Sequence, residues 1–279
     1  MEGELKGSFM KYEEHIRFDF ANTMSIIAPL IKKGSTVLEF GPASGRLTKY
    51  LKEQKKCKIY IVEIDAEAGA IASKYAEKSI IDDILNFQWE KEFGSVSFDY
   101  ILFADVLEHL IKPEMVLQKC KTLLKDQGKI IISIPNIAHN SVIIDLLNNK
   151  FEYQETGLLD NTHVRFWSYD SIGTMLNSLG LFIEERWATY SQVGLNEFDN
   201  SYDDVPEEVS VFLKTRENGE LYQYILSVTK QLVQETKDML LDKRDYFYSQ
   251  IFLDDGENIE ECPNLKQNIV LKGKNIYLI

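Results

Sequence analysis

Little in this 279-residue chain suggests an exported, membrane-spanning or nucleic-acid-binding protein. It has only three cysteines, Cys57, Cys120 and Cys262, with no C-x-x-C spacing. That excludes a disulfide framework and a Cys-rich zinc site, and fits reduced thiols in the cytoplasm. No apolar run approaches the ~18 residues that cross a bilayer, and Met1-Glu2-Gly3-Glu4 does not open a basic, apolar signal segment. Block basicity is missing too. The net charge is −13, and Lys32-Lys33 and Lys55-Lys56 read as solvated faces. A nucleic-acid substrate is therefore not expected, because phosphate contacts supply most of that affinity. Internal repeats and low-complexity stretches are absent, and there are only four histidines.

Against this background, residues 37–50 read V-L-E-F-G-P-A-S-G-R-L-T-K-Y. A β-type run ends on Glu39, Gly41 and Gly45 bracket a turn, and a helix starts at Arg46. Glycines let the backbone approach a ligand where a Cβ would collide, and the first N–H groups of the helix face the same crevice. A dinucleotide fingerprint is excluded by Ala43 and Arg46 at its second and third glycine positions. A P-loop is excluded because Gly45-Arg46-Leu47 replaces Gly-Lys-Ser/Thr. The bland alternative is a tight turn that holds no ligand.

Further β–α alternations follow. A strand over 58–62 delivers Glu63-Ile64-Asp65, about twenty residues past the glycine loop, where a carboxylate can accept from both hydroxyls of a vicinal diol. Asp65 suits the N-cap of the next helix. A strand over 79–81 leads to Asp82-Asp83-Ile84, and one over 98–104 to Asp105-Val106-Leu107-Glu108-His109. Pro113 fits the first turn of a helix over 114–125, Gly128 reads as its stop, and a fifth strand covers 129–134. Five alternations in order imply a parallel, doubly wound sheet with its site across the strand carboxyl ends.

The set E-x-G-x-x-x-G, Glu63, Asp83-Ile84 and Asp105 resembles class I S-adenosylmethionine-dependent methyltransferases over roughly 36–136. The resemblance implies a Rossmann-like α/β fold with a mostly parallel seven-stranded sheet, and S-adenosyl-L-methionine as cofactor. Its cofactor residues would be Glu39, Gly41, Pro42, Ala43, Gly45, Glu63, Ile64, Asp83, Ile84, Ala104 and Asp105. Glu63 would bind ribose, Asp83-Ile84 would hold adenine, and Ala104-Asp105 would line the pocket floor. The run Gly157-Leu158-Leu159-Asp160-Asn161-Thr162-His163-Val164-Arg165-Phe166-Trp167-Ser168 is similar to a segment of bacterial methyltransferases associated with glycosyltransferases and surface-polysaccharide synthesis. That similarity implies a small or glycan acceptor.

Methyl transfer to a hydroxyl needs in-line positioning and removal of a proton, which histidine is suited to accept. His109 and His163 are the catalytic candidates, and His139, Arg165 and Trp167 the acceptor-binding ones. His109 could instead satisfy a backbone carbonyl, and Arg165 could pair with Asp160. Phe151, Tyr153, Phe166, Trp167 and Tyr169 could stack on a sugar face or pack in the core. The spacing of Glu108, His109, His139 and His163 matches no metal-ligand pattern, so no metal centre is expected. Methylation of an amine, and a degenerate domain that serves only assembly, are the competing readings.

The expected organisation is a methyltransferase domain over 1–230, with a helical cover over 1–33 and an acceptor-side insert over 137–167. Residues 181–190 and 220–228 would pair as the last two strands, antiparallel. Beyond them, 231–248 reads as a linker helix and 249–279 as a short β-rich tail able to mediate a homodimer or larger assembly.

Overall fold

The computed structural model describes residues 22–239. The part of the N-terminal cover before residue 22, the rest of the linker, the β-rich tail and Cys262 lie outside the described residues. Helix α1 (Thr23–Leu30) is followed by β1 (Thr36–Phe40), α2 (Arg46–Glu53), β2 (Lys58–Glu63), α3 (Ala66–Ala72), β3 (Lys78–Ile81) and α4 (Gln88–Phe93). Then come β4 (Phe98–Ala104), α5 (Pro113–Leu123), β5 (Leu124–Pro135), α6 (Asn140–Leu147), α7 (Tyr169–Ser178), β6 (Phe182–Tyr190), α8 (Glu207–Thr215), β7 (Leu221–Thr229) and β8 (Lys237–Asp238).

These strands form one sheet in the order β3-β2-β1-β4-β5-β7-β6-β8. The first five are mutually parallel, and β7 runs antiparallel to both β5 and β6. The chain order reverses beside β1, so a crevice opens at the carboxyl ends of β1 and β4. β1 shows why this arrangement is stable. Leu38 and Phe40 join one core layer with Trp89, Phe93 and Phe103. Val37 joins the other with Leu47, Leu51 and Ile59. A strand covered on both faces must be apolar on both, with period two deciding which layer receives each side chain. Phe40 stacks on Phe103 at 4.8 Å between centroids and meets Trp89 edge-on at 5.0 Å, so this layer is rigid directly beneath the glycine loop.

Three expectations are corrected here. Among the described residues the sheet has eight strands, one more than expected. Residues 231–239 are not helical, because the Met239 amide donates to the Arg186 carbonyl and Lys237–Asp238 pair with β6. Gly128 does not stop a helix: α5 ends at Leu123 and the chain enters β5 at once, with a register shift where Phe98 and Tyr100 pair across to Leu124 and Lys129. A Cβ on Gly128 would meet the Phe98 carbonyl oxygen at 2.9 Å, so the glycine serves close backbone approach within the sheet. As expected, β6 and β7 pair antiparallel, and α7 starts on a Ser168 capping box and ends before Gly180 at φ +63°.

Two segments that leave the sheet pack on each other. Val142, Leu158, Leu159 and Phe198 form one small cluster, and Ile144, Val205 and Leu213 another. The 137–167 segment therefore shares its core with residues between β6 and β7, a partnership between distant parts of the chain that local patterning does not signal.

Candidate active site

The glycine loop is held from below and from the side. Glu39 projects onto the same face as Val37, toward α2, where Thr48 Oγ1 donates to its Oε2 at 2.7 Å. It is 2 % exposed, and burial raises its pKa to about 7, the Thr48 bond opposing. Glu39 therefore lies beneath the loop and braces it. Glu63, at the end of β2, turns into the crevice: its Oε2 accepts from the Ala43 amide at 2.8 Å and its Oε1 from the Asp65 amide at 3.0 Å. Gly41, Ala43 and Gly45 all have positive φ, +61°, +48° and +80°. A Cβ on Gly41 would lie 2.7 Å from Val106 Cγ2, and one on Gly45 2.7 Å from Ala72 Cα. Both glycines are thus required by close approach as well as by backbone conformation.

At β3, Asp83 caps the following turn through Oδ1 and the Leu85 amide (2.8 Å), and Ile84 is buried. The Ile84 carbonyl accepts from Trp89 Nε1 at 2.8 Å, which ties this corner to the core. Ile64 is 70 % exposed on the rim. Asp105 follows Ala104 in the left-handed region, at φ +56°, a strained conformation for a side-chain-bearing residue. The strain is held by a polar relay. Ser133 Oγ donates to Asp105 Oδ1 at 2.6 Å, Gln223 Nε2 donates to the same oxygen at 2.8 Å, and Thr23 Oγ1 donates to Gln223 Oε1 at 2.6 Å. Ser133 and Gln223 escaped notice in the sequence, although Ser133 interrupts the apolar run that ends β5 and Gln223 stands between two tyrosines of β7. Thr23, Thr189, Tyr190, Tyr222 and Gln223 line an adjoining recess of about 230 Å³.

Beyond β4, His109 and His163 meet with ring centroids 4.9 Å apart. His109 Nδ1 lies 3.3 Å from the Thr162 carbonyl oxygen and His163 Nδ1 3.3 Å from that of Leu158. Burial, with His109 close by, lowers the pKa of His163. Near them Glu108 is 1 % exposed, and both its carboxylate oxygens find no hydrogen-bond partner among the described residues. Burial, with Asp105 adding repulsion, pushes its pKa well above the usual carboxylate range.

Other acceptor-side candidates move elsewhere. His139 is fully buried: its Nδ1 accepts from the Ser141 amide to cap α6, and its Nε2 is 2.8 Å from the Ser191 carbonyl oxygen. With both ring nitrogens engaged, it is a structural cap and not an acceptor ligand. Trp167 belongs to the main core, so its ring is not offered to a sugar. Tyr169 lies under the Arg186 guanidinium. Arg165 is exposed, with Nη2 donating to the Ile111 carbonyl at 2.6 Å. Phe151 and Tyr153 are exposed, 45 % and 57 %, and Phe166 joins Phe151 to His163 at centroid distances of 6.3 and 6.1 Å.

Among the described residues no helix is long and apolar enough to cross a membrane. Residues 12–185 match the model of the family described as "Methyltransferase domain". An uncharacterized methyltransferase of Anoxybacillus flavithermus is 33% identical over 127 residues, 44% of this chain and 58% of that protein. Ribosomal RNA small subunit methyltransferase A of a Hydrogenobaculum species is 26% identical over 111 residues, 37% and 43% of the two chains. The chain thus spans about half the length of the curated relatives it matches. The crystal structure of the CcbJ methyltransferase from Streptomyces caelestis superposes with a TM-score of 0.50 at 12% identity, covering 74% of this chain and 88% of that one, a likeness of fold. The family model spans more than half of the chain, and the chain therefore belongs to the methyltransferase-domain family.

Proposed function

We propose that this chain is an S-adenosylmethionine-dependent methyltransferase that methylates an oxygen of a small, sugar-containing acceptor in the cytoplasm, within surface-polysaccharide synthesis. The observation that carries the reading is the meeting of His109 and His163, supplied by segments far apart in sequence, in the turn that follows Asp105. The cofactor supplies an electrophilic methyl on a sulfonium. Glu63 would bind the ribose hydroxyls through the carboxylate lone pairs that the Ala43 and Asp65 amides leave open, and Asp83 and Ile84 would hold the adenine edge and face. Gly41, Pro42, Ala43 and Gly45 approach the methionine portion, and Ala104 and Asp105 form the floor.

The histidine pair assists removal of the acceptor's hydroxyl proton, a task that needs neutral imidazole. Exposed Phe151 and Tyr153, linked to His163 through Phe166, offer ring faces to a sugar, and Arg165 offers a cation to an anionic group such as a uronate or nucleotide-sugar phosphate.

Calorimetry with S-adenosylhomocysteine, followed by methyl transfer from labelled cofactor to a panel of nucleotide sugars and glycans, tests the proposal. Expected are saturable binding, and transfer that His109→Ala and His163→Ala abolish while cofactor binding persists. Transfer that survives both changes would point to an amine acceptor instead, and absence of S-adenosylhomocysteine binding would overturn the cofactor assignments.

A further inference from the structure

We propose that Glu108, His109 and His163 bind one divalent transition-metal ion at the acceptor side of the crevice. Each offers one ligand atom, and the three atoms lie within 4.8 Å of one another. Glu108 and His109 come from the short turn Leu107–His109 after β4, and His163 from the insert. The two segments are locked together by the Glu108 carbonyl, which accepts from the Val164 and Arg165 amides at 2.9 and 3.1 Å. The cluster is thus a product of defined backbone pairing.

Two independent features point to a cation. First, the buried Glu108 carboxylate has neither oxygen satisfied among the described residues. Leaving a buried polar group unpaired is costly, and the carboxylates that act on it, Asp105 and Asp160, are of like sign. Second, each imidazole has a ring nitrogen to offer as a ligand. When each Nδ1–H donates to its carbonyl, of Thr162 or Leu158, each Nε2 is left with a free lone pair. Two imidazoles and one carboxylate suit Mn²⁺, Fe²⁺, Co²⁺ or Zn²⁺ better than Ca²⁺ or Mg²⁺, which prefer all-oxygen shells. Three protein ligands leave coordination positions open, and His109 is exposed on that side.

This inference deepens the proposed function, on which it rests only for the role of the ion. With both Nε2 atoms on the ion, the histidines assist proton removal through it: an acceptor hydroxyl bound at an open position would release its proton to water more readily. Its oxygen pair would form the bond to the methyl carbon, and the sulfur–methyl bond would break to release S-adenosylhomocysteine.

The test uses the full chain, stripped with chelator and titrated with Co²⁺ by visible absorption and calorimetry, with S-adenosylhomocysteine binding measured on every sample. One Co²⁺ per chain is expected, and His109→Ala and His163→Ala should each weaken it at least ~10-fold while S-adenosylhomocysteine affinity stays within about threefold. Glu108→Gln keeps the shape of the side chain and should also weaken the ion, which guards against loss by misfolding. A stripped protein that binds S-adenosylhomocysteine yet takes up neither Co²⁺ nor Mn²⁺ at millimolar concentration overturns the proposal, as does uptake unchanged in both histidine variants. Uptake of Co²⁺ without any S-adenosylhomocysteine binding would leave the site standing and remove the cofactor assignments instead.

Discussion

Glu63 Oε2 accepts from the Ala43 amide at 2.8 Å, joining the end of the second strand to the middle of the glycine loop across twenty residues. The bond holds Ala43 at positive φ and leaves a carboxylate poised on the crevice wall. Glu63→Gln keeps the size and loses the charge. It should weaken S-adenosylhomocysteine by ~10–100-fold, since hydrogen bonds to a charged group contribute about 1.5–3 kcal/mol. Calorimetry checks this, and an affinity within threefold of the parent would remove Glu63 from the ribose role.

Gly41 faces Val106, whose Cγ2 would lie 2.7 Å from a new Cβ. Gly41→Ala should therefore destabilise the fold by ~1–3 kcal/mol through strain at φ +61° and overpacking, and should impair cofactor binding. Adding Val106→Ala relieves the collision but not the backbone strain, so the double variant should recover part of the loss in a denaturant melt. Perfectly additive losses would show that the two side chains do not compete for the same space.

Glu39 makes stability depend on pH. Its folded pKa, about 7, exceeds the ordinary 4.5, so between those values the folded chain holds a proton that the unfolded chain releases. Stability due to this group is therefore full below about pH 4.5 and lost as pH rises toward 7. Glu39→Gln preserves an acceptor for Thr48 and removes the titration. The variant should gain on the order of 3 kcal/mol relative to the parent between pH 5 and pH 8. Denaturant melts at both pH values test this, and parallel pH profiles would show that Glu39 ionises normally.

Arg186 has a side chain only 6% exposed and makes two 2.7 Å bonds to the Asp238 carboxylate. A chain ending at residue 230 leaves this guanidinium without that partner and removes β8. It should melt earlier than a chain ending at residue 239, by ~1–2 kcal/mol because Asp238 is half exposed. Asp238→Asn in the longer chain should reproduce most of the difference. Equal melting of the two lengths would make the strand a passive appendage.

Much of this molecule is written locally. The order of β–α units, the glycine bracket, the acids after β2 and β3 and the Ser168 cap are each set by neighbours within a few positions. Hydrophobic period and turn chemistry reveal such features. Gly128 and residues 231–239 were misread for the opposite reason: a glycine after a helix and a spaced apolar pattern look alike whether the chain next meets solvent or a strand. His139 failed on burial, because a histidine that caps a helix and one that meets an acceptor have the same local sequence.

What the linear chain determined is the kind of crevice, since a strand, a glycine loop and an acid twenty residues on can be built only by short-range geometry. What folding decided is which distant groups share that crevice: Gln223 and Thr23 with Asp105, and His163 with Glu108 and His109. These pairings depend on the order of strands in the sheet and on where an insertion folds back. Such long-range closures are selected by the total packing of the domain, and no window of residues contains that information.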